Sequence, residues 1–185
     1  MPTNWIISTL SQISEMGAGG DKPLVVSETM TESCPYPIYS NGISNEGLYG
    51  YTDNAKIFDE SVTVSARGTI GYVCLRHVPY VPIVRLVTLI PDINKISAKY
   101  LYFWLQSLHI VGTGTTQQQL TVPSFQSTAI PVPDSETMAK FTSFANSIFN
   151  EIWSNQEENT RLATLRDALL PKLMSGELDA STIDI

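Results

Sequence analysis

The sequence predicts an α+β domain followed by one long C-terminal helix. Short segments with alternating apolar residues fill residues 1–133, and glycine and proline recur between them. Residues 134–185 are different, because they hold no proline before Pro171 and no glycine before Gly176. Alternation is typical of half-buried strands, and a long stretch without breakers favours an uninterrupted helix. A chain of 185 residues suits one domain with an appended helix.

The front of the chain is predicted to mix short helices, strands and many loops. Residues 8–16 are interpreted as a short helix and residues 17–23, rich in glycine, as a loop. Residues 36–40 are predicted to be extended, and Asn41-Gly42 is a turn signal. Further along the chain we predict strands at 61–66, 70–75 and 83–90, a turn at 67–69, a helix at 98–108 capped by Ser97, a polar loop at 112–119 and extended pieces at 120–132.

The back of the chain is predicted as a single helix over residues 137–174, preceded by a boundary at residues 131–134 and capped by Asp134 or Ser135. Its seam recurs at steps of three and four residues, and we predict that it meets another helix, from a second copy or from a partner. The alternative is a helix that bends back onto its own domain. The predicted dimerisation residues are Phe141, Ala145, Ile148, Ile152, Asn155, Asn159, Leu162, Leu165, Leu169 and Leu173.

Composition limits the function classes. The net charge of −7 argues against nucleic acid, yet residues 1–133 carry seven Lys/Arg against nine Asp/Glu, whereas residues 134–185 carry four against nine. The acid is therefore concentrated in the helix, and local cationic clusters in front remain able to bind phosphates. No apolar run suits a membrane span and no signal peptide is expected. A reduced cytoplasmic protein is the simplest interpretation of two cysteines without a metal or redox motif.

Four segments, in order, resemble the type I restriction-modification specificity subunit family. Trp5, TLSQI at 9–13 and GGDKP at 19–23 are similar to the start of a target-recognition domain. SARGTIGYV at 65–73 is similar to a turn of that family, and LTVPSF at 120–125 with IPVP at 130–133 resembles the end of the domain. LRDALLPKLMSGEL at 165–178 is the most specific match, to the close of the spacer helix. PDSET at 133–137 departs from the usual start of that helix because it lacks a Gln.

The resemblance implies a reader of DNA sequence with one target-recognition domain (residues 1–133) and one spacer helix with a C-terminal tail (residues 134–185), the helix pairing as an antiparallel coiled coil. Full subunits of the family carry two of each, so this chain resembles a half-length form that pairs with another copy to read a bipartite palindrome. The resemblance also implies binding to the modification (methyltransferase) subunit, with a restriction subunit in the complete enzyme. S-adenosylmethionine, ATP and Mg²⁺ are expected on those partners, and no cofactor on this chain.

The polar loop at 112–119 is the first predicted DNA contact. Glutamine can make two hydrogen bonds to adenine, and threonine can contact phosphate or a thymine methyl group. A solvated linker is the alternative for such a loop. The loop residues predicted to bind DNA are Thr113, Thr115, Thr116, Gln117, Gln118 and Gln119.

Cations and turn residues elsewhere supply the remaining predicted contacts. Arg67, Gly68 and Thr69 place a cation beside exposed amides, which suits phosphate or guanine, although a plain strand connection fits equally. Lys22 is predicted to contact phosphate, and the alternative is a solvated lysine at a loop tip that binds nothing. The other predicted contacts are Tyr39, Asn41 and Arg76, the last as part of a basic cluster with His77 and Arg85.

Catalysis finds little support in the sequence. His77 and His109 are not in metal-ligand spacing, and no nucleophile elbow, P-loop or Gly-rich methyl-donor turn is found. We therefore predict no enzymatic activity. The alternatives are a scaffold that pairs with other specificity subunits and reads nothing, and a hydrolase that uses Cys34 or Cys74.

Overall fold

The computed structural model describes Pro2 and residues 4–112 and 119–178, and it has the α+β architecture with a long C-terminal helix that the sequence predicts. The front half contains short strands linked by turns and short helices. The elements are β1 (Ile6–Thr9), α1 (Leu10–Ile13), β2 (Ser14–Ala18), β3 (Tyr36–Tyr39), β4 (Leu48–Thr52), β5 (Ser61–Val64), β6 (Val73–Arg76), β7 (Val81–Pro82), β8 (Val87–Pro91), α2 (Ala98–Ser107), α3 (Val122–Phe125), β9 (Ala129–Val132) and α4 (Ser135–Met174).

In the part of the chain that the structure describes, the strands form three small sheets. Four antiparallel strands in the order β2-β8-β5-β6 make the largest, in which Val64 of β5 lies opposite Val73 of β6 and Val87 of β8. A second sheet has the order β4-β3-β7, with β3 antiparallel to β4 and parallel to β7. β1 pairs with β9, which brings the two ends of the domain together.

The main core lies between the four-stranded sheet and the helices. Apolar side chains of β5 and β8 pack in one cluster with those of α1 and α2, and removal of this surface from water supplies the main stabilisation. A smaller cluster of Ile38, Val81 and Ile83 lies in the second sheet. The main cluster consists of Leu10, Ile13, Val62, Val64, Ala66, Val73, Val87, Leu89, Ile96, Leu101, Leu105, Leu120, Phe125, Ile130, Val132 and Met138.

Several predicted elements are confirmed with small changes at their ends. The extended piece at Tyr36–Tyr39, the strand at Ser61–Val64 and the helix at Ala98–Ser107 are where the sequence predicts them. Ser97 caps that helix, since its hydroxyl accepts a hydrogen bond from the backbone N–H of Tyr100. Asp134 caps α4, accepting from the N–H of Thr137 at 3.0 Å.

Other predictions were wrong. The helix predicted at residues 8–16 is a single turn, α1, between two strands, because pairing with β9 and β8 satisfies the flanking backbone. The strand predicted at 83–90 begins only at Val87, because Val84 and Arg85 form a turn. The strand predicted at 70–75 likewise begins later, at Val73. The short helix at Val122–Phe125 and the strand β4 were not predicted.

The chain divides into two compact units, one extending to Thr142 and the other beginning at Ser143. The first unit continues beyond the predicted boundary at residue 133 because Met138 and Phe141 pack with its core. Over the described residues, no helix is both long and apolar enough to span a membrane.

Candidate nucleic-acid interface

Three exposed cations from three separate segments line one open cavity of about 390 Å³ in the first unit. Lys22 follows β2, Arg67 follows β5, and Arg85 lies between β7 and β8. The remaining lining residues are Gly19, Gly20, Asp21 and Val84, so among the described residues three cations and one carboxylate line the cavity. We call this set the basic cavity. An open cationic surface of this kind suits a phosphate-bearing polymer.

Lys56 adds a fourth cation close to the basic cavity. Its ammonium nitrogen lies 3.9 Å from the position that a β-carbon on Gly20 would occupy. Lys22 lies over the ring of Tyr49, with its Nζ 5.9 Å from the ring centroid. No sequence motif connects Lys56 and Arg85 with Lys22 and Arg67, because the four residues belong to separate segments of the chain.

A strained turn presents Arg85. Val84 and Arg85 both have positive φ, 54° and 60°, and the N–H of Leu86 donates to the carbonyl of Ile83 at 3.1 Å. Left-handed geometry at both central positions is typical of a turn that prefers Asn-Gly, and it is costly for a β-branched residue. Such strain persists where the surrounding structure determines the conformation.

Gly19 and Gly20 supply that surrounding structure on one side of the turn. The N–H groups of Val84 and Arg85 donate to the carbonyls of Gly20 and Gly19, at 2.9 and 2.8 Å, and the N–H of Gly19 donates to Leu86 O at 2.8 Å. A β-carbon on Gly19 would lie 2.7 Å from Ile83 N, so only glycine permits this approach. Gly19 and Gly20, which the sequence predicts to be part of a loop, therefore hold the turn of Arg85 through their backbone carbonyls.

The Arg67 turn is joined to the end of the polar loop. The Nη2 of Arg67 donates to Oε1 of Gln119 at 3.1 Å, and the N–H of Leu120 donates to Ala66 O at 3.0 Å. Gly68 has a φ of +71° and Gly68 and Thr69 are exposed. Two segments that the sequence predicts as DNA contacts thus meet at one place.

The other predicted loop contacts lie outside the described residues. They are Thr113, Thr115, Thr116, Gln117 and Gln118.

Asn41 has both ends of its amide engaged within the protein. Its Nδ2 donates to Val84 O at 2.6 Å, and its Oδ1 accepts from the N–H of Ala66 at 2.7 Å. These two partners immediately precede Arg85 and Arg67 in the sequence. Asn41 is not among the described residues that line the basic cavity, and we do not include it among the groups that face a ligand.

Arg76 and Tyr39 are likewise used inside the protein. Arg76 is 3% exposed, and its guanidinium donates to Glu46 Oε2 at 3.2 Å, to Glu46 O at 2.6 Å and to Thr63 Oγ1 at 3.0 Å. It also lies 3.6 Å from the centroid of the Tyr39 ring, and burial raises the pKa of Tyr39. The predicted basic cluster of Arg76, His77 and Arg85 is divided, because Arg85 lines the basic cavity whereas Arg76 is buried.

The two cysteines of the alternative hydrolase hypothesis are poorly placed for nucleophilic chemistry. Cys34 and Cys74 are both buried, and burial raises the pKa of Cys74, which disfavours the nucleophilic thiolate. Within the described ranges, no group of three His, Cys, Asp or Glu side chains could hold a metal ion.

The predicted helix seam is largely exposed along the second unit. Ile148, Ile152, Leu162, Leu165, Leu169 and Leu173 are each between 38 and 51% exposed. Two members of the predicted seam differ from these. Phe141 packs edge-on against Tyr100, with centroids 5.6 Å apart, and Ala145 is buried in the chain itself. Of the predicted seam, the residues from Ile148 onward are the exposed ones.

We expect Val84→Asn to stabilise the protein, because asparagine tolerates the left-handed conformation that valine resists. The free energy of unfolding in urea should rise by about 1 kcal/mol. Val25→Asn is a matched control, since Val25 has similar exposure (45% against 47%) and no positive φ, and it should bring no gain. Equal effects of the two substitutions would show that the turn is not strained.

A family profile described as "Type I restriction modification DNA specificity domain" matches residues 2–162. The chain is 31% identical over 132 residues to a Mycoplasma pneumoniae protein named as type I specificity subunit S.MpnORF89P, covering 71% of this chain and 39% of that protein. It is 26% identical to the HindI specificity subunit of Haemophilus influenzae, covering 96% and 42%. The chain thus spans less than half the length of these relatives.

Solved structures share the fold. The S subunit of a type I restriction-modification system from M. genitalium superposes with a TM-score of 0.69 at 24% identity, covering 93% of this chain and 46% of that one. The HsdS subunit of Thermoanaerobacter tengcongensis gives 0.59 at 17% identity, covering 96% and 46%. Since the family profile matches most of the sequence and the same fold is found in subunits of these systems, the chain belongs to the type I restriction-modification DNA specificity domain family.

Proposed function

We propose that this chain reads DNA sequence for a type I restriction-modification enzyme, that it binds duplex DNA at the basic cavity, and that it has no catalytic activity of its own. The observation that carries the proposal is the convergence of Lys22, Arg67 and Arg85 around one open cavity in a member of this family. The acidic net charge of the chain does not oppose it, because nine of its 18 acids lie after residue 133.

The proposed contacts divide into two kinds. Lys22 and Lys56 hold phosphates as flexible point charges, which positions the protein on the duplex. Arg67 has the planar fork that reads the O6 and N7 of guanine, and Gln119, bonded to it, lies where an amide can reach a neighbouring base edge. Arg85 binds phosphate or guanine from the opposite loop.

We further propose that two copies pair through α4 in an antiparallel coiled coil. Forty residues at ~1.5 Å each make a helix of about 60 Å. The exposed leucines of its second half supply an apolar seam, and Asn155 and Asn159 in the middle set the register. Twofold symmetry would then give a palindromic target of two separated half-sites.

The remaining partners follow from the family. The modification subunit, bound to the same helical rod, would supply S-adenosylmethionine and methyl transfer, and a restriction subunit would supply ATP- and Mg²⁺-dependent chemistry. We propose that the complex acts in the cytoplasm.

The test is a selection from a random duplex library at physiological salt, with this chain mixed with its modification subunit. Enrichment of a bipartite palindrome would support the reader and its symmetry. Enrichment of an asymmetric motif would support the reader but overturn self-pairing. An assembled complex without enrichment would overturn the proposal in favour of the non-reading scaffold.

Arg67→Ala combined with Arg85→Ala should weaken binding to random-sequence duplex DNA on the order of 100-fold at low salt, because two phosphate or base contacts disappear. The charge-matched control is Lys95→Ala with Lys140→Ala, which removes two exposed cations that do not line the basic cavity. Fluorescence anisotropy with a labelled duplex measures both. If the control weakens binding as much as the test variant, the basic cavity is not the contact surface.

A further inference from the structure

We propose that Asn41 is a positioning residue that locks the Arg67 and Arg85 loops into one DNA-contacting unit. This inference deepens the proposed function and rests on it. The side chain of Asn41 bridges Ala66 and Val84, which lie 25 and 43 residues away along the chain. Each of these residues is the immediate neighbour of one of the two arginines at the basic cavity.

The chemistry of the bridge requires an amide. The carbonyl of Val84 can only accept a hydrogen bond and the N–H of Ala66 can only donate one, so the bridging side chain must offer both functions at once. Aspartate accepts from Ala66 but cannot donate to Val84, and a shorter hydroxyl cannot span both partners. A second bond, from the N–H of Gly42 to Ser65 Oγ at 3.2 Å, holds the backbone beside Asn41 against the same loop.

The bridge matters most for the Val84–Arg85 turn. This turn holds two non-glycine residues at positive φ, so it needs support on more than one side. On one side, the carbonyls of Gly19 and Gly20 accept hydrogen bonds from the N–H groups of the turn. On the other side, the side chain of Asn41 donates to the carbonyl of Val84. Without Asn41 the turn would lose the two hydrogen bonds that join it to the Arg67 loop through this side chain.

The consequence for DNA binding is simultaneous contact. When both loops are fixed, Arg67 and Arg85 meet the duplex together, and each pays little entropy to be ordered on binding. When the bridge is absent, Arg85 is held by the glycine side alone and its contact with the duplex weakens. Asn41 is therefore expected to change the number of phosphates neutralised, which the salt dependence of binding reports directly.

The experiment measures binding of the full chain to a random-sequence duplex across a series of salt concentrations. Asn41→Ala should weaken binding about tenfold and reduce the slope of log K against log salt by about one, the value for one phosphate contact. Asn41→Asp should behave similarly, and Asn54→Ala, at an exposed asparagine that bridges no loops in the described contacts, should match the unsubstituted chain.

A variant cycle separates positioning from general structural damage. When Arg67→Ala and Arg85→Ala are already present, adding Asn41→Ala should change the affinity by less than twofold, because the groups it positions are gone. A tenfold further loss in that background would overturn the proposal. So would an unchanged salt slope in Asn41→Ala.

A readout without DNA completes the test. Amide hydrogen exchange at Ala66 should accelerate in Asn41→Ala, since its acceptor is removed. Unchanged exchange would overturn the bridge. If the unsubstituted chain shows no binding to duplex DNA at low salt, the proposed function itself fails, whereas binding with no response to Asn41 substitution contradicts this inference alone.

Discussion

Gly19→Ala is expected to destabilise the protein by about 2–3 kcal/mol and to displace Arg85 from the basic cavity. The added β-carbon would lie 2.7 Å from Ile83 N and from Pro82 C, and 2.8 Å from Ile83 O. These are backbone atoms, so no side-chain rotation can relieve the clash. Separation of the two segments would break the hydrogen bonds of Gly19 with Arg85 and Leu86.

Gly17→Ala is the matched control, two residues earlier in the same part of the chain. A β-carbon there would meet nothing within 4 Å, and the backbone is not left-handed. The change in unfolding free energy should stay within about 0.5 kcal/mol. Urea denaturation gives the stabilities, and anisotropy with duplex DNA gives the affinities. If the two alanine variants unfold at the same urea concentration, the close approach at Gly19 is not a constraint on the fold.

Leu169→Asp is expected to abolish pairing of the chain at micromolar concentration. Leu169 is 38% exposed in the single chain, and in a twofold pair the substitution would bring two carboxylates into the apolar seam. Each unpaired charge excluded from water costs several kcal/mol, so the dissociation constant of the dimer should rise by well over 100-fold. Analytical ultracentrifugation measures the mass of the assembly directly.

Thr164→Asp is the control for this helix. At 100° per residue, Thr164 lies on the opposite face from the line of Leu162, Leu165 and Leu169, so its substitution should leave the dimer intact. A monomer in the unsubstituted chain at high micromolar concentration would contradict the pairing proposal. A dimer retained in Leu169→Asp would show that another face of the helix mediates contact.

Local patterns alone predicted much of this protein. The α+β class, the strand at Ser61–Val64, the helix at Ala98–Ser107 with its Ser97 cap and the long helix from Ser135 all follow from periodicity and capping chemistry, which act over a few neighbouring residues. The family resemblance came from ordered motifs over the whole chain. The family profile confirms it over residues 2–162.

The tertiary structure decided what pairs with what. Residues 8–16 have helical spacing, yet sheet pairing on both sides leaves only one turn of helix. The sequence predicts Arg76 and Asn41 as DNA contacts. In the structure, Arg76 is buried and donates to Glu46 and Thr63, and the amide of Asn41 binds Ala66 and Val84. These partners lie 13 to 43 residues away, beyond the reach of any local pattern.

The candidate site shows the same division. The sequence by itself determined the residue types, including Lys22, the RGT turn at Arg67 and the glycines at 19 and 20. Only the tertiary structure brought Arg85 beside them, because a strained turn at Val84 and Arg85 is held by backbone hydrogen bonds to those glycines. A turn with Val-Arg at its centre has no local preference for left-handed geometry, so its conformation comes from long-range contacts and not from its own residues.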